Sequence, residues 1–146
     1  MLAINVFNAH GKRRMSVKTT AGYVKRVLRS AQIRDARISV IFVNSRYCRE
    51  INRKYLRHDY VTDVISFPLA EKPVLEGEVY VNLDRARSQS REYGVNVGNE
   101  AARLVIHGVL HLVGFDDATE SKRALMKSEE DRHLRFWFGR TREKKR

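Results

Sequence analysis

The chain has 146 residues, of which 42% are hydrophobic and 32% charged, a size and mix that fit one soluble globular domain able to bury a core without disulfides or a structural metal. The single cysteine, Cys48, excludes an internal disulfide and fits a reducing compartment, and no apolar run is long enough to cross a bilayer. The formal net charge of +12 is uneven: residues 12–37 carry +8, residues 132–146 carry +6, and the stretch between them carries −2, a distribution that favours a polyanion such as nucleic acid.

Met1 to Phe7 lacks a charged leader and a small-residue cleavage site, so it reads as a first strand rather than a signal peptide. A helix follows, with Val17, Ala21, Val24 and Leu28 on one side and Lys18, Lys25 and Arg29 on the other. Ala36 to Val43 is β-branched and nearly continuous in apolar character, as expected of a strand buried on both faces. Ser45 is placed to cap a second helix with Cys48, Ile51 and Tyr55 inward. Two more strands are expected, Asp63 to Phe67, stopped by Pro68, and Glu78 to Leu83. Asp84 would cap a third helix ending at Gly94. A fourth spans about Val97 to Val113, and a fifth runs from Thr119 to about Trp137, with Leu125, Met126, His133 and Trp137 inward and Gly139 as its stop. The basic tail from about residue 140 is expected to be disordered. With no repeat or linker, this order predicts a single α+β domain: about four strands in a mixed sheet, packed with helices, and a helical C-terminal half.

The chemistry concentrates in residues 101–117, AARLVIHGVLHLVGFDD. The helix is apolar nearly all round, hence a buried central helix, yet His107 and His111 sit in it one turn apart on one face, where two imidazoles can reach one metal ion. Gly114 permits a left-handed turn that swings Asp117 back toward them. Three ligands would leave a fourth tetrahedral position open, as in catalytic zinc sites. Asp116, His133, His58 and His10 compete for the third place, and Asp116 could instead orient an imidazole from behind. Asp117 has the best offset. The spacing also resembles the metzincin protease signature HExxHxxGxxH, but Gly108 stands where those proteases carry their general base. Protease chemistry is therefore disfavoured. A metal site on a strongly basic chain points instead to phosphodiester hydrolysis by activated water.

HGVLHLVGFDD, together with Asn52, Tyr55, Asp59, the TDVISFP run of Thr62 to Pro68 and GEVYVNL at Gly77 to Leu83, resembles the YbeY family of bacterial endoribonucleases and ribosomal-RNA maturation factors. The likeness runs from about Ile38 to His133. It implies a zincin-like fold with one Zn²⁺ on the central helix, held through His107, His111 and, where the family usually has histidine, Asp117. The added negative charge should make another divalent metal, such as manganese, more acceptable. The resemblance further implies single-strand-specific cleavage in maturing the small-subunit ribosomal RNA 3′ end and in ribosome quality control. Its expected setting is the cytoplasm, with ribosomal RNA and ribosomal particles, and ribosomal proteins or assembly GTPases, as partners and no membrane. The family's usual arginine after Tyr55 is Leu56 here, so Arg57 is the candidate to hold a phosphate. Asp63 reads first as a local turn residue, and Tyr55, Phe67, Tyr80 and Phe115 as core rather than base-stacking platforms. Whether water or the ribose 2′-hydroxyl attacks stays open. So does a non-catalytic alternative, an RNA-binding assembly factor whose metal is structural.

Overall fold

Among the described residues nine elements follow one another: β1 (Leu2–Asn8), α1 (Val17–Ser30), β2 (Ala36–Val43), α2 (Ser45–Leu56), β3 (Val64–Ala70), β4 (Leu75–Asn82), α3 (Leu83–Tyr93), α4 (Val97–Leu112) and α5 (Glu120–Phe138). They are taken from a computed structural model that describes residues 1–140. The expected disordered tail falls on residues 141–146, outside the described residues. The four strands form one mixed sheet in the order β1-β2-β4-β3, with β1, β2 and β4 parallel and β3 antiparallel at the edge beside β4.

One face of the sheet holds the main core. Ile38, Val40, Phe42, Val79 and Val81 point from β2 and β4 into a layer made by Val24, Val27 and Leu28 of α1 and Val105, Ile106, Val109 and Leu110 of α4. Each such aliphatic side chain, fully withdrawn from water, contributes about 1.5–3 kcal/mol before entropy is counted. α4 is buried along nearly its whole length. The other face is covered only near α2, where Val43, Cys48, Ile51 and Ile65 make a small second cluster. For that reason β2 is not buried on both faces throughout: Arg37 is exposed, and Ser39 and Ile41 are half-buried.

Several sequence expectations need correction. β3 does not stop at Pro68 but continues to Ala70 with a register shift, because an edge strand tolerates an imide nitrogen facing away from its neighbour. β4 begins earlier, at Leu75. Asn44 and Asn82, rather than Ser45 and Asp84, cap α2 and α3. On α5 the inward stripe is Met126, Glu130, His133 and Leu134, which rotates Leu125 out to 53% exposure. Trp137 lies with its ring edge over Gly22 and against Tyr23 and Phe136, and is partly inward at 37% exposure. Tyr55 is not core either; it is 62% exposed.

Candidate metal centre and its cleft

The buried α4 carries His107 and His111 on the side that opens to solvent beyond the sheet edge, and both rings are only partly covered. α4 lies this close to the sheet because of Gly108: a Cβ there would sit 2.4 Å from Val79 Cγ1 and 3.2 Å from both Ser66 Oγ and Val64 Cγ2. The Ser66 hydroxyl donates instead to the Gly108 carbonyl at 2.8 Å, pinning helix to strand. After α4 the chain turns at Gly114, whose φ of 109° suits glycine and little else, and Asp117 comes back toward the imidazoles.

The two Nε2 atoms are 3.1 Å apart, and Asp117 Oδ2 lies 3.8 Å from His107 Nε2 and 3.7 Å from His111 Nε2. Donor atoms around a tetrahedral zinc ion stand about 3.3 Å from one another, so the triplet has the spacing and the nitrogen-oxygen chemistry of a three-point metal site. Among the described residues His107, His111 and Asp117 are the group that could hold a metal ion.

Behind them stands a network that sequence reasoning missed. His107 Nδ1–H donates to Glu130 Oε2 at 2.7 Å, and Glu130 Oε1 accepts from Arg103 Nη1 at 2.8 Å. Arg103 also donates to Asp131, which accepts from Lys127. The signal for Glu130 was present: it falls four residues after Met126 and three before His133, two positions read as inward, and a carboxylate in such a stripe needs a partner. Burial opposes a charge on His107, but the Glu130 hydrogen bond and charge, with Asp63 and Asp117 beyond, outweigh it and raise its pKa. Burial, and after it the neighbouring His107, lowers that of His111.

The other candidates lie elsewhere. Asp116 is exposed and turned to the start of α5, accepting from the Ala118 N–H and Lys122, so it orients neither imidazole. His133 is buried against Arg26, whose guanidinium donates to its Nδ1. His10 accepts the backbone N–H groups of Lys12 and Arg13 and donates to Asp84, tying the β1–α1 loop to α3. His58 lines the cleft beside His111 but is not among the three converging donors. Asp63 makes no local turn bond with its carboxylate, which accepts from Gln89 on α3 and faces a second, polar cavity shared with His107 and Glu130.

A cleft of about 400 Å³ opens at His111, between β3, the end of α2 and the loop through His58, Tyr60 and Thr62. Arg57 is not in its lining, although Leu56 and His58 on either side are; it caps α2 with a left-handed φ of 57°. Phe67, Tyr80 and Phe115 are half-buried.

The sequence model of the family described as "Endoribonuclease YbeY" matches residues 5–137. A relative of that description from Chlorobium phaeovibrioides is 43% identical over 99 residues, 68% of this chain and 67% of its own length. Another, from Salinibacter ruber, is 34% identical over 140 residues, covering 90% of this chain and 89% of that one. A Thermotoga maritima protein known from its solution structure has the same fold, with a TM-score of 0.68 at 27% identity over 95% of this chain and 90% of its own.

Proposed function

The chain belongs to the YbeY endoribonuclease family, and from that premise we propose that it is a metal-dependent endoribonuclease cutting single-stranded RNA beside His107, His111 and Asp117. The observation that carries this reading is the convergence of three donor atoms within 4.8 Å at the end of an open cleft. A bound divalent ion, zinc in this proposal with manganese as the alternative, supplies Lewis acidity toward a phosphate oxygen and acidifies water.

The chain's own residues do the rest. Glu130 holds the proton on His107 Nδ1, so the Nε2 lone pair faces the ion, and Arg103 and Asp131 keep Glu130 in place. Asp117 closes the set from the turn at Gly114 and adds one negative charge, which favours a harder ion than an all-histidine site would. The cleft, walled by β3 and the end of α2, takes an unpaired strand rather than a duplex, and Arg57, outside the lining at the C-cap of α2, is the candidate to meet a phosphate beyond it. In this reading the whole chain serves as one zincin-like domain with α4 as its metal-bearing helix. Its substrate is precursor ribosomal RNA at the small-subunit 3′ end, or RNA of defective ribosomal particles. It works in the cytoplasm, where ribosomal proteins or assembly GTPases bring it to its site. No helix among the described residues is long and apolar enough to cross a membrane.

The test is metal analysis of the wild-type protein and of His107→Ala and Asp117→Ala, with cleavage of single-stranded RNA assayed on the same samples. We expect about one equivalent of metal in the wild type, lost together with cleavage in each variant. Glu130→Gln keeps all three donors and should weaken metal affinity about 10- to 100-fold in a chelator competition. Metal binding without any cleavage would replace this reading with that of an RNA-binding assembly factor, and cleavage that survives metal loss would overturn the metal's part in it.

A further inference from the structure

The outer face of the sheet, away from the main core, carries a row of rings that begins in the second cluster, where Phe67 and Tyr80 pack, and runs out into solvent. α2 leaves Phe67 and Tyr80 half-buried at its flank, while its own Tyr47 and Tyr55 stand 45% and 62% exposed. The four rings touch in sequence. Tyr55 meets Phe67 at 5.9 Å and 77°, Phe67 meets Tyr80 at 5.7 Å and 86°, and Tyr80 stacks on Tyr47 at 6.4 Å and 25°. Each ring is thus oriented by the next while the two end rings keep open surface, so little conformational freedom is left to lose when a flat ligand stacks on them.

One cation borders the row. Arg46 and Arg49 are paired with Glu50 and Asp59, and Arg53 lies on that same outer side of α2 with its charge felt at Asp59, whereas exposed Lys54 faces the rings. The Lys54 ammonium sits 5.2 Å from the centre of the Tyr55 ring. The row also joins the cleft. Leu56, next to Tyr55, lines the cleft, and β3 gives Ser66 and Pro68 to the cleft while giving Phe67 to the row. Glu78, directly across from Phe67 in the sheet and accepting from the Tyr80 hydroxyl at 3.4 Å, puts a negative charge beside the middle rings, so a phosphate is drawn to the Lys54 end of the row.

We propose that Tyr55, Phe67, Tyr80 and Tyr47 form a stacking track for unpaired bases of single-stranded RNA outside the cleft, with Lys54 meeting a phosphate at the Tyr55 end. A strand leaving the cleft over the β3 edge runs directly onto it. This rests on the endoribonuclease reading for the choice of RNA, but it concerns binding, and its test is read without cleavage.

Equilibrium binding of a 2′-O-methyl oligouridylate of about 15 nucleotides, and of one about 4 nucleotides long, is measured by fluorescence anisotropy for the wild type, Tyr47→Ala, Tyr55→Ala and Tyr55→Phe. Melting curves confirm the fold of each, and a gel confirms that the strand is intact. Each alanine variant should bind the long strand about fivefold or more weakly and the short one unchanged, with Tyr55→Phe close to wild type. Long-strand affinity equal to wild type in both alanine variants would overturn the track. So would a concentration-dependent dimer that Tyr55→Ala abolishes, since a second copy would then cover the row. A protein that binds through the row and never cuts would keep this proposal and sink the cleavage reading.

Discussion

Gly108 shows how one missing side chain sets the site. Its lack of a Cβ lets α4 settle against β3 and β4, so the ring carriers His107 and His111 are fixed to the sheet rather than hung from a floating helix. Gly108→Ala should cost about 1–3 kcal/mol in urea unfolding, because a fully buried neighbour, Val79, must give way. Val79→Ala in the same chain should return part of that loss; strictly additive costs would mean that the close contact is not what the glycine serves. From the sequence, Gly108 mattered as the place where a protease glutamate is missing. The structure adds that a larger residue there would meet the sheet. His107, His111 and Asp117 could be placed together from spacing because helix period and a turn glycine are local facts. Glu130 could not, since its partner lies 23 residues away on another helix.

Among elements, helices were easier to find than their first residues. Amphipathic spacing marked α1, an all-round apolar run α4, and cap and stop residues α3, but the capping side chain of α3 is Asn82, the last residue of β4, whose strand role concealed it. Asn82 Oδ1 accepts from the N–H groups of Asp84 and Arg85, while its amide donates to Ser45 Oγ and the Thr62 carbonyl. It is fully buried. It therefore joins the starts of α2 and α3 to the loop that forms one wall of the cleft. Asn82→Ala loses a cap and strands buried polar groups, and should destabilise by about 2–3 kcal/mol. Asn82→Asp keeps the acceptor and loses the donor, so its urea midpoint should fall between those of wild type and alanine; a midpoint at or below the alanine value would contradict this division. Asp84, expected as the cap, instead accepts from the Ser45 N–H and from His10. Short strands and the α5 stripe were less legible because their faces are set by what packs on them, not by their own period.

Across the whole molecule, the basic surface meets the core at His133, buried between α1 and α5. Burial, and then the charges of Arg132 and Arg26 against the weaker opposing pull of Glu129, push its pKa down to about 4. An unfolded histidine titrates near 6.5, so between those values the unfolded chain takes up a proton that the folded chain refuses. Stability should thus fall as pH drops from about 6.5 toward about 4 and be insensitive to this group above that window. Melting temperatures across the range should slope less steeply for His133→Gln than for wild type, and equal slopes would rule the group out. The edge strand β3 has a different consequence at this scale. It brings exposed Leu69 beside an open cleft, a stretch that in many proteins would recruit a neighbouring chain. Pro68, which pairs across from Gly77 without breaking the sheet, removes one donor from that free edge, and the register shift after it spoils the alignment of the rest. An edge left open for the proposed RNA strand is in this way protected from polymerising along it.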